Sequence, residues 1–411
     1  MRKVYGFWLV GAILLIAGCT TDDAVSETAS EEAIAIAFGE IIDGAYKSYK
    51  TYGTYNGAYG PHNEPTRAAH QGAMNSEDLY YTGFGVFASI TAEKVPDLMY
   101  NQEVEFTFVG DMENPLKGYW SYQPVKYWPA NMTNFYMSAY APYMEPGELE
   151  GFLEDETKTG IISISSNTTA PYIAFRRCKD PQSCTDLLWY YESLSAIPAP
   201  SGKQRGLLDM KMRHALARLE INVALATAQP EGTKVLIDSI ALTGRMAKTA
   251  HLHLYEQTTD TVVVNEEKVV KYYPVWSDQT YDKTGGGADT DHTIVIDNDD
   301  NNTESYGIID APVRYIKGLP YAWQPAGLKA YDAEAADKGY QNVLSTGDRN
   351  TYIYLIPQGA LSLEIKVRYR KMTSGGGNTM GVKTTTAAVT TVANPLKGNT
   401  TYTLNLKLSE I

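Results

Sequence analysis

The sequence of 411 residues is poor in the side chains from which catalytic and metal sites are built, with only three cysteines and six histidines. It has no Gly-x-Ser-x-Gly motif, no phosphate-binding glycine loop and no Cys-His nucleophile signature. Basic residues are also scarce: 35 Lys and Arg against 48 Asp and Glu give a formal charge of −13, without a basic run. Nucleic acid binding needs clustered Lys and Arg. We therefore expect neither a nucleic-acid partner, nor a cofactor, nor an enzyme.

Long apolar runs are absent beyond the N-terminus. There, Arg2 and Lys3 precede the apolar run FWLVGAILLIAG and then Cys19. A basic start with a short apolar run is typical of a secretory signal, because a membrane-spanning helix needs about 20 apolar residues. The ending Ile16-Ala17-Gly18-Cys19 resembles the lipobox of bacterial lipoproteins. This implies a signal peptide over 1–18, lipidation of Cys19, and export as an outer-membrane lipoprotein at the cell surface, with the polar, acidic segment after Cys19 as a flexible tether.

The other two cysteines, Cys178 and Cys184, lie in the sequence RRCKDPQSC. In an oxidising compartment, two cysteines closing a small proline-containing loop suggest a disulfide. Two separate thiols are the other interpretation, and both stay open. Zinc is disfavoured because no histidine partner lies nearby.

The remaining composition favours strands, with 31 tyrosines and many Thr, Val and Ile residues. Short alternating segments separated by turn residues predict an all-β protein of sandwich type rather than βαβ units. AIAIAF, residues 33–38, alternates with period two, which places Ile34, Ile36 and Phe38 on one face of a strand. Residues 207–225 carry helix-forming residues at their centre and alternation at both ends, and we predict mostly strand.

Three stretches contain residues of the types found in metal or catalytic sites. His251 and His253 would share one face of a strand, but no third ligand lies close in sequence, which favours surface histidines. Residues 297–308 have the acidic spacing of a calcium loop, but Asn302 replaces its glycine and Ile308 its glutamate. The carboxylates of 145–158 favour a solvated face over an acid/base pair. We therefore predict no metal site.

The order of several motifs carries a family resemblance. FGEIIDG, LYYTGFGVFAS, GYWSYQPVKYWP, MKMRHALARLEINV and NTTYTLNLKL follow one another along the chain. Together they resemble the fimbrillin-like family, the subunits of type V pili of Gram-negative anaerobes. The most specific parts are the Trp-Ser-Tyr-x-Pro to Tyr-Trp-Pro stretch at 120–129 and the Arg-His-Ala-Leu-Ala-Arg-Leu stretch at 213–219.

This resemblance implies two tandem transthyretin-like β-sandwich domains, which we expect over 68–248 and 249–411. It also implies a lipidated propeptide over 19–67 that contains the first strand. An arginine-specific protease would cut between Arg67 and Ala68. The vacated groove would then accept a strand from another fimbrial subunit.

The residues themselves support a removable strand, because losing 33–38 would leave an open sheet edge, and open edges are templates for strand addition. Two alternatives remain. TYTLNLKL, residues 401–408, is either the donor strand or simply the last strand of its own domain. The protein is either a polymerising subunit or a monomeric surface lipoprotein that binds glycan or host protein through tyrosine-rich faces.

Overall fold

The computed structural model describes residues 33–43, 74, 76–109, 117–130, 132–178, 184, 186–199, 202–225, 228–264, 267–297, 341–342, 345–346, 349–350, 353–373 and 375–408. Cys19, Arg67, Ala68 and all but the first residue of the calcium-like stretch 297–308 lie outside these ranges.

The described chain consists almost entirely of β-strands, which confirms the predicted all-β class. The strands of the first half are β1 (Ala37–Asp43), β2 (Phe84–Ser89), β3 (Met99–Phe108), β4 (Gly118–Ser121), β5 (Phe135–Ala141), β6 (Gly160–Ile164), β7 (Tyr172–Arg176), β8 (Leu188–Leu194) and β9 (Leu207–His214). Those of the second half are β10 (Ala217–Leu225), β11 (Lys234–Gly244), β12 (Thr249–Val264), β13 (Glu267–Thr280), β14 (His292–Asp297), β15 (Gln341–Asn342), β16 (Ser345–Thr346), β17 (Arg349–Asn350), β18 (Ile353–Leu355), β19 (Ser362–Met372), β20 (Asn378–Ala388) and β21 (Thr400–Leu408). One short helix, α1, spans Ser76–Thr82, and a 3-10 turn spans Pro146–Leu149.

A seven-stranded sheet in the order β1-β9-β8-β5-β2-β3-β4 is apolar on both faces. Alternate residues of its strands point to opposite sides. Thus Phe135 and Met137 of β5 enter one core, which α1 also contacts, while Tyr140 enters another. This second core lies against a four-stranded sheet of order β13-β12-β7-β6. These two packed sheets form a β-sandwich.

A second pair of sheets encloses the third core. One sheet has β10 between β21 on one side and β15 and β18 on the other, and its partner has the order β14-β11-β19-β20. Alternate residues of β10, β11 and β19, such as Leu219, Leu242 and Ile365, fill the space between them. The period-two burial of these strands makes this a second β-sandwich.

The ambiguous segment 207–225 forms two strands, which confirms the prediction of strand. β9 belongs to the seven-stranded sheet and β10 to the second sandwich, with Ala215 and Leu216 between them buried in the second core. Helix propensity in RHALARLE is overridden because strand pairing on both halves buries the segment.

The strands do not follow the predicted domain bounds in chain order. β10 and β11 precede residue 248 and lie in the second sandwich. β12 and β13 follow it and lie in the first, where β12 pairs with β7 and β13 pairs with β12. Strands from both sides of residue 248 thus contribute to each sandwich. The division into 68–248 and 249–411 stays a prediction.

Candidate functional site: the groove around the first strand

The first strand is held between two backbone edges. On one side, β1 pairs in parallel with β9, from Ala37 opposite Leu207 to Asp43 opposite Met212. On the other side, the residues just before β1 pair antiparallel with 126–128. Here the Ile36 N–H donates to the Lys126 carbonyl at 2.9 Å, and the Trp128 N–H donates to the Ile34 carbonyl at 2.9 Å. Residues 34–43 therefore close a gap between β9 and the segment that follows β4.

The apolar side chains of this segment enter the first core. Ile36, Phe38 and Ile41 are 2%, 5% and 5% exposed, and Ile34 packs against the same core. The Phe38 ring lies edge-on to Phe84 at 5.5 Å between centroids, and Tyr122 lies 5.6 Å away on the same ring. The predicted common face of Ile34, Ile36 and Phe38 is confirmed.

A β-bulge interrupts β1 after Phe38. Phe38 lies opposite Leu208 and Ile41 opposite Met210, so three steps on β1 match two steps on β9. In an unbroken strand, residues 38 and 41 would point to opposite faces. The extra residue turns both Phe38 and Ile41 into the core, as bulges do when they redirect side chains.

Asp209 of β9 binds the backbone of this bulge. Its Oδ1 accepts the Glu40 N–H at 2.8 Å, and its Oδ2 accepts a hydrogen bond from Lys203 Nζ at 2.7 Å. Lys203 also lies 3.8 Å from the Glu40 carboxylate. Glu40 has no partner in the register with β9, so Asp209 satisfies an N–H group that the bulge leaves out of the ladder.

Asp209 and Lys203 each stabilise the charged form of the other. Partial burial alone would raise the pKa of Asp209, but the hydrogen bonds from Lys203 and from the Glu40 N–H bring it below its ordinary value of 3.8. The hydrogen bond to Asp209 raises the pKa of Lys203 above its ordinary value of 10.5. Both groups are therefore charged at neutral pH, and the Asp209 carboxylate is held from two directions.

Aromatic residues of the GYWSYQPVKYWP motif form the opposite wall of the groove. The Tyr122 hydroxyl lies 2.9 Å from the Ile36 carbonyl and donates to it. Trp128 Nε1 donates to the Gly206 carbonyl at 3.0 Å. One of the two stretches that carry the family resemblance most specifically therefore contacts the first strand.

Gly206 leaves the space that the start of the strand occupies. Its φ of 89° lies in the left-handed region, which favours glycine. A Cβ at this position would lie 2.5 Å from Ile34 Cγ2 and 2.9 Å from the Ala35 carbonyl oxygen. Sequence reasoning did not identify Gly206, Lys203 or Asp209, because their roles depend on a strand far away in the chain.

The C-terminal strand lies in its own sandwich. β21 pairs in parallel with β10 over nine positions, from Ala217 opposite Thr400 to Leu225 opposite Leu408. Its apolar side chains Tyr402, Leu404, Leu406 and Leu408 are all buried in the third core. Of the two interpretations for residues 401–408, the structure contains the strand of its own domain.

The two histidines considered as metal ligands make other contacts. His251 stacks on Tyr172 at 4.4 Å, and its Nδ1 lies 3.2 Å from Asp278. His253 Nε2 lies 2.7 Å from the Ser277 hydroxyl. Within the ranges that the structure covers, no three His, Cys, Asp or Glu side chains lie together as a metal site would require.

The acidic stretch 145–158 is mainly solvent-exposed. Arg176, which is buried, donates hydrogen bonds to the backbone carbonyls of Phe152, Leu153, Asp155 and Lys158. The loop is therefore ordered by one arginine beneath it, and its carboxylates point mostly to solvent.

The remaining predicted site residues keep the status of predictions. Cys178 and Cys184 are both buried in the second core, and a disulfide between them stays a prediction. Lipidation of Cys19 and processing between Arg67 and Ala68 concern residues outside the described ranges. In the described part of the chain, no helix combines the length and apolarity needed to cross a membrane.

No protein-family model and no curated protein matches the chain. Among solved structures, it is similar to a fimbrial protein from Bacteroides vulgatus, with 18% identity and a TM-score of 0.42, covering 80% of this chain and 89% of that chain. It is also similar to a candidate cell adhesion protein from Bacteroides ovatus, with 12% identity, a TM-score of 0.35 and 92% of each chain covered. A fimbrial protein from Bacteroides ovatus has 10% identity and a TM-score of 0.30, over 92% of this chain and 50% of that chain.

At such low identities and TM-scores, the fold assignment rests on the strand pairing and packed cores described above.

Proposed function

We propose that this protein is a structural or adhesive subunit of surface fimbriae. It is exported as a lipoprotein anchored through Cys19, processed after Arg67, and polymerised by strand exchange with other subunits. The observation that carries this proposal is the position of β1. β1 pairs with β9, and the residues just before it pair with 126–128. The strand ends at Asp43 and precedes the proposed cleavage site in the chain.

Removing this strand would open a site with high affinity for another strand. The backbone groups of 206–212 and 126–128 that now bind residues 34–43 would lose their partners. The cavity left by Ile36, Phe38 and Ile41 would expose apolar surface, and each such side chain contributes about 1.5–3 kcal/mol when buried. The three together give ~5–9 kcal/mol before ordering costs, in addition to the ladder hydrogen bonds.

A strand supplied by another subunit makes a contact between different surfaces of the two molecules. Such head-to-tail contacts build open filaments when they do not close into rings. The same exposed edge that most proteins avoid, because it promotes aggregation, would here be the assembly site.

The test is the Arg67→Ala variant, expressed in cells that assemble fimbriae, with Arg205→Ala as the control because Arg205 is an exposed arginine outside the proposed cleavage site. We expect Arg67→Ala to retain the lipidated precursor, seen by intact mass, and to lose heat-resistant polymer on gels. Arg205→Ala should polymerise normally. Polymer at the wild-type level in Arg67→Ala cells would refute the proposal.

A second candidate function, monomeric binding of glycan or host protein, is favoured by an exposed aromatic cluster. Tyr81 and Phe108 are 56% and 41% exposed near the β3–β4 edge, and their rings lie 5.6 Å apart. Exposed aromatic surface of this kind marks contact sites, since tyrosine gives contact area at low entropic cost.

This second candidate predicts that uncut monomer binds on a glycan array or to host cells. The variants Tyr81→Ser and Phe108→Ser should abolish that binding without affecting polymerisation. Equal binding by these variants and the wild type would exclude the aromatic cluster as the site.

A further inference from the structure

The groove around β1 has one position that leaves no room for a side chain. A Cβ at Gly39 would lie 2.3 Å from Asp209 Oδ1, and 3.0 Å from Leu207 Cγ and Cδ2. The Asp209 carboxylate could move away only by giving up the Glu40 N–H and the bond to Lys203. A larger residue at position 39 therefore costs either a steric clash or the hydrogen bonds that fix the bulge.

The bulge is what allows Ile41, the third large apolar side chain of this segment, to enter the core. Phe38 and Ile41 both face inward because one extra residue lies between them relative to β9. A regular strand aligned at Phe38 would turn the residue two positions later into the core instead of the one three positions later, and it would leave no N–H outside the ladder for Asp209. The Glu40 N–H and the missing side chain at Gly39 are therefore the two features of the strand that contact Asp209.

The C-terminal strand of this chain has a different geometry. β21 pairs with β10 over nine consecutive positions without irregularity. Its large side chains at 402, 404, 406 and 408 alternate regularly, and it contains no glycine. A second copy's β21 therefore lacks both features that the β1 groove accommodates.

We infer that Asp209 makes this groove selective for a bulged strand. The pattern is that of residues 36–41: large apolar, any, large apolar, glycine, any, large apolar. This inference rests on the proposed strand exchange, and it names the partner as a segment of that pattern rather than β21 of a second copy.

The test uses the full chain cut after Arg67 and fluorescent peptides that compete with the retained first strand. The reference peptide has the sequence of residues 33–43. One variant carries Gly39→Val, and the matched control carries Glu40→Val, which places the same β-branched side chain at the neighbouring, exposed position. A fourth peptide has the sequence of residues 400–408.

We expect the reference and the Glu40→Val peptides to bind with similar affinity. The Gly39→Val peptide should bind at least about tenfold more weakly, since it costs a hydrogen bond to a charged group. The 400–408 peptide should also bind more weakly than the reference. With the Asp209→Ala chain, the penalty for Gly39→Val should fall to about threefold or less. Equal binding of the Gly39→Val and Glu40→Val peptides to the wild-type chain would overturn the inference, as would a penalty that persists in full in Asp209→Ala.

A second measurement on the uncut chain separates this inference from the proposed function. The thermal stabilities of Gly39→Val, Asp209→Ala and the double variant form a double-mutant cycle. The inference predicts that the double variant is more stable than the sum of the single losses, whereas strict additivity refutes the contact. If no peptide enters the cut chain at all, strand exchange is refuted, and the cycle alone then decides whether Asp209 selects the strand geometry.

Discussion

Phe38→Ala is the change that most directly tests how β1 is retained. Phe38 is buried at the centre of the strand, with Ile36 and Ile41 on either side of it. Its ring packs between Phe84 and Tyr122. Substitution by alanine removes this contact but keeps the backbone ladder with β9.

The expected cost follows from burial. A phenylalanine truncated to alanine in a core loses about 3–5 kcal/mol through lost transfer energy and the cavity left behind. In the uncut chain, the covalent connection limits the consequence, because rebinding is intramolecular and takes place at a high effective concentration. In the cut chain, the same loss weakens retention by roughly a hundred- to several-thousand-fold.

The assay is release of the N-terminal piece from the cut chain, followed by size-exclusion chromatography of a fluorophore-labelled protein. Glu40→Ala is the matched control, since its side chain is 67% exposed and makes only a surface ion pair with Lys203. Such a change alters stability by about 0.5 kcal/mol or less. If Phe38→Ala releases the piece no faster than Glu40→Ala, apolar burial does not hold β1, and the energetic basis of strand exchange is wrong.

Three further predictions concern stability. Gly206→Ala should cost about 1–3 kcal/mol more than Gly202→Ala in urea denaturation, because both residues have positive φ but only Gly206 has neighbours that a Cβ would meet. Leu406→Ala should cost about 2–5 kcal/mol, since Leu406 is fully buried in the second sandwich. Asp282 accepts a hydrogen bond from Arg177 at 2.6 Å. Burial alone would raise the pKa of Asp282, but the hydrogen bond and the charge of Arg177 bring it below its ordinary value of 3.8. A carboxyl group whose pKa is lowered by folding stabilises the fold at pH values above its ordinary pKa, and this stabilisation is lost as the pH falls through the lowered pKa. Asp282→Asn should therefore flatten the fall in Tm below about pH 4.

Each of these has a clear contrary result. Equal losses for the two glycine variants would mean that the start of the first strand does not rest on Gly206. An unchanged midpoint for Leu406→Ala would mean that β21 is not packed in solution as it is here. A pH profile identical in Asp282→Asn and wild type would show that the Arg177 pair does not contribute to acid stability.

Local periodicity in the sequence was sufficient to predict that several segments form strands. AIAIAF alternates with period two, so its buried face could be named residue by residue. The same alternation at both ends of 207–225 indicated strand despite helix-forming residues at the centre. The aromatic motif around Trp120, Tyr122 and Trp128 supported the family resemblance, but only the structure places Tyr122 and Trp128 against the first strand.

The tertiary structure decided which strands pair with one another. Glu40 and Asp209 are separated by 169 positions, yet a hydrogen bond joins them and fixes the bulge. No local pattern reveals that Ile41 returns to the core after Gly39, because a bulge depends on the register of the partner strand. β12 and β13 likewise belong to the first sandwich because β12 pairs with β7 and β13 pairs with β12. Side-chain alternation is encoded along the chain, whereas strand partnership and register arise only when distant segments compete for the same edges.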